Sequence, residues 1–139
     1  MRAVLDTNVV VSALLWDGVP EQILQLARED ELELVSSPAL LAELSGILNR
    51  PKFAAKLAQK NSSPSEVVAL YTQLAETIEA SPVELTALRD PDDAAALACA
   101  VAAHADLIVS GDADLQTLGR YQDIPIVSPA ECLRRLSAE

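Results

Sequence analysis

The sequence predicts an α/β fold: a central parallel sheet covered by helices on both faces, a three-layer α/β/α arrangement of the Rossmann type. Three observations predict it. Short apolar runs such as Ala3-Val4-Leu5 and Leu107-Ile108-Val109 read as strands buried on both faces, continuous in character as parallel central strands are. These runs alternate with segments of helical spacing, which is the order of a helix-covered parallel sheet. Half of the 139 residues are hydrophobic but only 3% are aromatic, so Leu, Val, Ile and Ala do the packing. That suits helices on a sheet better than an aromatic-rich barrel.

The elements follow in order. Residues 1–5 form the first strand, Asp6-Thr7-Asn8 the turn at its carboxyl end, and residues 9–15 a helix broken by Trp16-Asp17-Gly18-Val19-Pro20. Residues 21–28 carry Ile23, Leu24 and Ala27 at helical spacing. Residues 32–35 are a second strand, ended by Ser36-Ser37-Pro38, where serine followed by proline starts a helix. That helix, 38–49, places Leu40, Leu41, Leu44, Ile47 and Leu48 on one stripe, with Glu43 flanking it. Arg50-Pro51 ends it. A short basic helix runs to about Lys60, and an amphipathic helix covers 65–77 after the loop Asn61-Ser62-Ser63-Pro64. Residues 77–80 suggest a short strand and 81–91 an irregular stretch. Residues 92–103, nearly all Ala, Leu, Val and Cys, form a buried helix whose acidic start suits the positive end of its dipole. Strands at 106–110 and 124–127 and a closing helix at 129–136 complete residues 1–139 as one domain, long enough for a core and too short for two.

No long apolar stretch of a signal peptide or membrane span is present, which predicts a cytoplasmic protein with no membrane partner. Cys99 and Cys132 have no metal-ligand spacing and read as reduced packing residues. The lone His104 reads as a capping or surface residue. Net charge is −11, which argues against delocalised binding to nucleic acid. Yet no acidic residue falls between Glu43 and Glu66, while Arg50, Lys52, Lys56 and Lys60 all do. At four-residue spacing the lysines form one stripe on a helix. Alone, such a stripe is a solvated face.

Acidic residues carry the functional signal. Asp6 and Asp112 follow apolar strands, Asp92 and Asp93 open a buried helix, and Glu43 sits among leucines. Two carboxylates about 4 Å apart repel by about 4 kcal/mol at an effective dielectric of 20. Four from separate regions meeting at the carboxyl edge of a parallel sheet, where such folds keep their functional crevice, imply a divalent cation or raised pKa values. Oxygen-only ligands suit Mg²⁺ or Mn²⁺ and not zinc. Any one of these residues alone reads as a cap or turn.

The ordered set Val4-Leu5-Asp6-Thr7-Asn8-Val9, Ser36-Ser37-Pro38 through Leu41-Ala42-Glu43-Leu44, Asp90-Pro91-Asp92-Asp93, and Ile108-Val109-Ser110-Gly111-Asp112-Ala113-Asp114-Leu115 resembles the PIN-domain family, specifically VapC-like toxins of toxin–antitoxin systems. The resemblance spans nearly the whole chain. It implies a PIN-like fold and a Mg²⁺- or Mn²⁺-dependent endoribonuclease acting on single-stranded RNA. Its metal-holding and catalytic residues would be Asp6, Glu43, Asp93 and Asp112, with Asn8 orienting Asp6 and Ser110 hydrogen-bonding within the cluster. Asp92 competes with Asp93, which is preferred as nearer the helix body; Asp114 matches a further acidic position that acts through water. A cognate antitoxin and a homodimer are the implied partners. The −11 charge departs from the expectation of strong unaided RNA binding, unless Arg50, Lys52, Lys56 and Lys60 form an RNA-guiding rim. Two other readings compete. One is a catalytically silent PIN scaffold that binds partners or RNA. The other is a receiver-like phosphoacceptor, which would want a lysine where Ile124-Pro125-Ile126-Val127-Ser128-Pro129 has none.

Overall fold

A computed structural model of the chain describes residues 1–80 and 91–137, with the side chains of Pro91 and Asp92 outside that description. The irregular stretch expected at 81–91 falls almost wholly outside the described residues. Five strands run parallel: β1 (Arg2–Leu5), β2 (Glu33–Ser36), β3 (Glu76–Thr77), β4 (Leu107–Val109) and β6 (Ile124–Val127). The sixth, β5 (Arg120–Tyr121), is antiparallel to β6 at one edge. Sheet order is β3-β2-β1-β4-β6-β5. The chain therefore builds outward from β1 on one side and then returns to add β4 on the other. The seam between β1 and β4 is the switch point at which open parallel sheets form their crevice.

Period-two alternation along the strands divides the core into two layers. Ala3, Leu5, Leu34, Leu107, Val109 and Val127 face one layer, packed by helices α1 (Thr7–Leu15), α2 (Val19–Arg28), α3 (Pro38–Leu48), α5 (Pro64–Leu74) and α8 (Pro129–Ser137). Val4, Val35, Ile108 and Ile126 face the other, filled mainly by Ala96, Leu97, Cys99 and Ala100 of α6 (Pro91–Ala103). Both strand faces are dry, so the apolar runs have no polar alternation to show. The three-layer α/β/α expectation holds. Each fully buried Leu or Val contributes about 1.5–3 kcal/mol, so any one-residue slip that exchanged the two faces would be expensive.

Several boundaries differ from the sequence reading. Helix α1 begins at Thr7 and not at residue 9, because Asp6 supplies its cap. The helix expected at 65–77 ends at Leu74, and β3 pairs with β2 three residues before the strand expected at 77–80 would end. Helix α7 (Ala113–Leu118) and strand β5 occupy residues for which the sequence predicts neither helix nor strand. The basic helix is broken. Pro51–Phe53 is a 3-10 turn, and α4 (Ala54–Gln59) is only six residues long, with Lys60 at its C-cap. Cys99 and Cys132 are free and buried, and burial pushes both thiols up to about 11. His104 is exposed with a φ of 52°, ending α6 in the left-handed region.

Candidate metal centre at the strand carboxyl ends

Asp6 leaves β1 at the switch point and becomes the N-cap of α1. Its Oδ1 accepts a hydrogen bond from the Thr7 amide at 2.8 Å, and its Oδ2 accepts one from Ser110 Oγ, also at 2.8 Å. The Asp6 amide donates to the Val109 carbonyl at 2.9 Å, continuing the β1–β4 ladder one residue past the strands. Ser110 is 0% exposed. Its hydroxyl donates to Asp6 and accepts from the Asp112 amide at 2.9 Å, so one buried group ties the two strand-end aspartates together. Asp112 Oδ1 accepts from the Asp114 amide at 2.7 Å, which caps α7, and Gln116 of that helix donates to the Ser110 carbonyl at 2.8 Å. Neither Asp side chain is then free to rotate without losing bonds in a partly desolvated place.

Glu43 arrives from α3. Ser37 caps this helix through the Leu40 amide at 3.3 Å, and Pro38 sits at its first position, as the Ser-Pro signal predicts. Leu40, Leu44, Ile47 and Leu48 are buried while Glu43 is half-buried at the stripe's margin. Asp93, third residue of α6, is 3% exposed. Asp6, Asn8, Glu43, Ile47, Arg50, Asp93 and Asp112 line one cleft of about 180 Å³. Four carboxylates from four sequence regions thus face one small polar space.

A family model described as PIN domain matches residues 2–114. The chain belongs to the PIN-domain family. The matched span contains every carboxylate of the cleft, and the family resemblance read from the motifs holds. This PIN domain is also similar to the uncharacterized protein MJ1680 of Methanocaldococcus jannaschii, at 29% identity over 119 residues, covering 85% of this chain and 75% of that protein. Its fold is similar to that of a chain in the crystal structure of VapBC2 from Rickettsia felis bound to a DNA fragment from their promoter. There the TM-score is 0.60 at 16% identity, covering 92% of this chain and 98% of that one.

Asn8 lines the cleft beside Asp6, whose carboxylate accepts from the Thr7 amide and the Ser110 hydroxyl. Asp114 is exposed and is not among the described lining residues; its amide holds Asp112. Asp92 lies with its side chain outside the described residues, whereas Asp93 reaches the cleft. Arg50 was singled out only as part of a basic run; the structure brings it to the cleft wall. Ile47 was read as core and also forms part of that wall. The signal for Arg50 was its position, one helical turn past residues that share the Glu43 face.

The donor set is oxygen only and acidic, opposed by one guanidinium. Among the described residues no three acidic side chains are drawn into a ready-made ion cage. The acidic oxygens of the lining are the donors that a hard cation such as Mg²⁺ takes.

Proposed function

We propose that this PIN domain is a Mg²⁺- or Mn²⁺-dependent endoribonuclease that hydrolyses single-stranded RNA, and that it is the toxin of a type II toxin–antitoxin pair. The observation that carries the reading is the meeting of Asp6, Glu43, Asp93 and Asp112 in one cleft at the switch point of a PIN fold. These four residues would hold the ion. When bound, it would neutralise the carboxylates and lower the pKa of a water for in-line attack on phosphorus. The chain's own residues do the rest. The Ser110 hydroxyl holds both strand-end aspartates, donating to the Asp6 carboxylate and accepting from the Asp112 amide. Arg50, on the cleft wall, offers a planar guanidinium to the phosphate oxygens. No His, Lys or Cys is among the described lining residues, so the reading takes an activated water and none of these side chains as the nucleophile.

An antitoxin partner is supported by the likeness in fold to a VapBC chain and by the −11 net charge, which a basic antitoxin segment would meet. The domain is read as one unit over residues 1–139, cytoplasmic and dimeric; no helix among the described residues is long and apolar enough to cross a membrane. The competing reading is a catalytically silent scaffold that binds partners or RNA. One assay decides between them: single-stranded RNA is incubated with the protein in Mn²⁺ or in EDTA, and the product ends are read by mass spectrometry. Internal cleavage only with Mn²⁺, leaving 5′-phosphates, is expected. Cleavage that leaves 2′,3′-cyclic phosphates, or none in Mn²⁺, overturns the proposal.

A further inference from the structure

Away from the cleft, the chain gathers its scarce aromatic and cationic residues. It has one Trp and one Phe, and ten Lys and Arg residues against 21 Asp and Glu. Trp16, at the C-cap of α1, packs edge-on against Phe53 of the 3-10 turn, with ring centroids 6.0 Å apart and planes at 66°. Lys52 Nζ lies 5.1 Å from the Phe53 centroid, and Lys56 Nζ lies 5.6 Å from that of Trp16. Trp16 is 44% exposed although its neighbour Leu15 is fully buried. Trp16 and Phe53 thus form a contiguous aromatic pair with one ammonium group over each ring, on a molecule whose excess charge should repel polyanions.

We propose that Trp16, Phe53, Lys52 and Lys56 form a platform for single-stranded nucleic acid, on which a base stacks while the lysines take flanking phosphates; its role as the entry to the acidic cleft rests on the nuclease reading above. Magnitudes favour the exchange. An exposed cation–π contact contributes about 0.5–1 kcal/mol. A base stacked on an aromatic side chain contributes about 1–3 kcal/mol, and every base offers a face. Lys56 can therefore trade the Trp16 ring for a phosphate as a base takes its place. The platform is also connected to the cleft. Arg50, which lines the cleft, is the N-cap of the turn that carries Lys52 and Phe53. Helix α1, nine residues long, starts beside Asp6 and ends beside Trp16. At 1.5 Å per residue the two sites lie about 15 Å apart along its axis. That is roughly four nucleotide steps at the duplex-strand spacing of about 3.4 Å, and fewer if the strand is stretched. A strand stacked at Trp16 would meet the carboxylates within one short run, and Arg50 would bridge the gap.

Trp16 is the only tryptophan, so its emission reports occupancy of the platform directly. The full chain in EDTA, where no cleavage interferes, is titrated with an oligouridylate of about ten nucleotides. A fluorescent copy of the same oligonucleotide gives the affinity by anisotropy. Saturable quenching of Trp16 is expected. Trp16→Ala should weaken binding about tenfold and Trp16→Phe should restore most of it, the ring being what matters. Lys52→Ala with Lys56→Ala should flatten the log–log salt dependence by about 1.4, two contacts at about 0.7 each for a single strand. Lys60→Ala, outside the aromatic pair, should change the slope less than either. Unchanged Trp16 emission at saturating oligonucleotide, or an unaltered slope in the double variant, overturns the platform. So does an acidic peptide that shifts the emission as strongly as RNA, because the surface would then read charge alone and suit a protein. Should Trp16→Ala fail to fold, Trp16→Phe and the lysine variants still decide. Quenching without any Mn²⁺-dependent cleavage would retain the platform and reject the nuclease. Cleavage without quenching would do the reverse.

Discussion

Carboxylates stand at both ends of the parallel sheet, and the two ends treat them differently. At the amino ends of the strands, Arg2 Nη1 lies 3.0 Å from Glu33 and 3.2 Å from Glu76, and the Arg2 amide donates to Asp106 at 2.8 Å. Glu33 and Glu76 are exposed, so each is a solvated partner of a central cation. At the carboxyl ends, Asp6 and Asp93 are 5% and 3% exposed, and Asp6 is fixed by a hydroxyl and an amide. Water already solvates the first group, and removing one member costs little. The second group gives up hydration for a fixed geometry, which a fold tolerates when a ligand exploits it. Residue type is shared by the two ends; orientation and burial separate structure from candidate chemistry.

The hardest test of that contrast is Asp6→Asn. Asn is as good an N-cap as Asp, and its side-chain oxygen can still accept from Thr7 or Ser110. The fold should survive while a ligand charge is lost. RNA cleavage is expected to fall by more than about 100-fold, beyond the 10–100-fold typical of residues that only support a ligand. A variant that cleaves at the wild-type rate in a gel assay would remove Asp6 from the site.

Metal addition comes next. On the proposed reading, Mg²⁺ or Mn²⁺ would bind the folded cleft and would find no equivalent site in the unfolded chain. At a concentration about 100 times its Kd it should stabilise the protein by about 2.7 kcal/mol. Calorimetry should show the melting temperature rising by several degrees, with no such rise in Asp6→Asn. An equal rise in both proteins would place the ion elsewhere, perturbing the contrast between the two ends at its root.

How much of this was readable without coordinates depends on where each signal resides. Strands β1, β4 and β6 and helix α6 announce themselves because they are buried on both sides or nearly so, and a dry environment leaves an unbroken apolar run. The acidic set was readable because Asp6, Asp93 and Asp112 adjoin those runs. Helix α7 and strand β5 were missed for the converse reason. They are short and mostly exposed, and β5 exists only because β6 offers Arg120 and Tyr121 a pairing edge. The lysine stripe spans two elements, because a 3-10 turn at Pro51–Phe53 precedes α4 where the spacing alone predicts one helix. Pairing of Lys52 and Lys56 with Phe53 and Trp16 joins residues 16 and 53, a contact that helical spacing cannot express. The Ser110 bridge was expected only as part of a family pattern; its two bonds, one given and one received, belong to the geometry of two adjacent strand ends.

Ser110→Ala sharpens the contrast at the supporting residue. The substitution removes both hydrogen bonds without adding bulk, and leaves Asp6 Oδ2 and the Asp112 amide to find other partners. Cleavage should fall about 10–100-fold, as for other groups that orient a ligand from behind. Stability should fall by about 1–3 kcal/mol, the penalty for unsatisfied buried polar groups. Thermal melts alongside the rate assay separate the two. A loss of stability with undiminished cleavage would make Ser110 a packing residue.

The smallest effect belongs to the opposite end, and its smallness is the point. Arg2→Ala removes both ion pairs and the hydrogen bond from Nε to the Ala103 carbonyl at 3.0 Å. The partners are exposed, so solvent and salt screen each pair, and such pairs contribute about 0–1 kcal/mol. The variant should melt slightly lower and lose the ion-pair share of that difference in high salt, because screening already cancels most of that attraction in the wild type. Cleavage and the metal-dependent rise in melting temperature should stay at wild-type values, since Arg2 lies at the far ends of the strands from the cleft. If Arg2→Ala lost cleavage as Ser110→Ala is expected to, the two ends would be coupled through β1. The division between a structural and a chemical end would then be an error, and the acidic cleft would have to be understood as one part of a charge network running the length of the sheet.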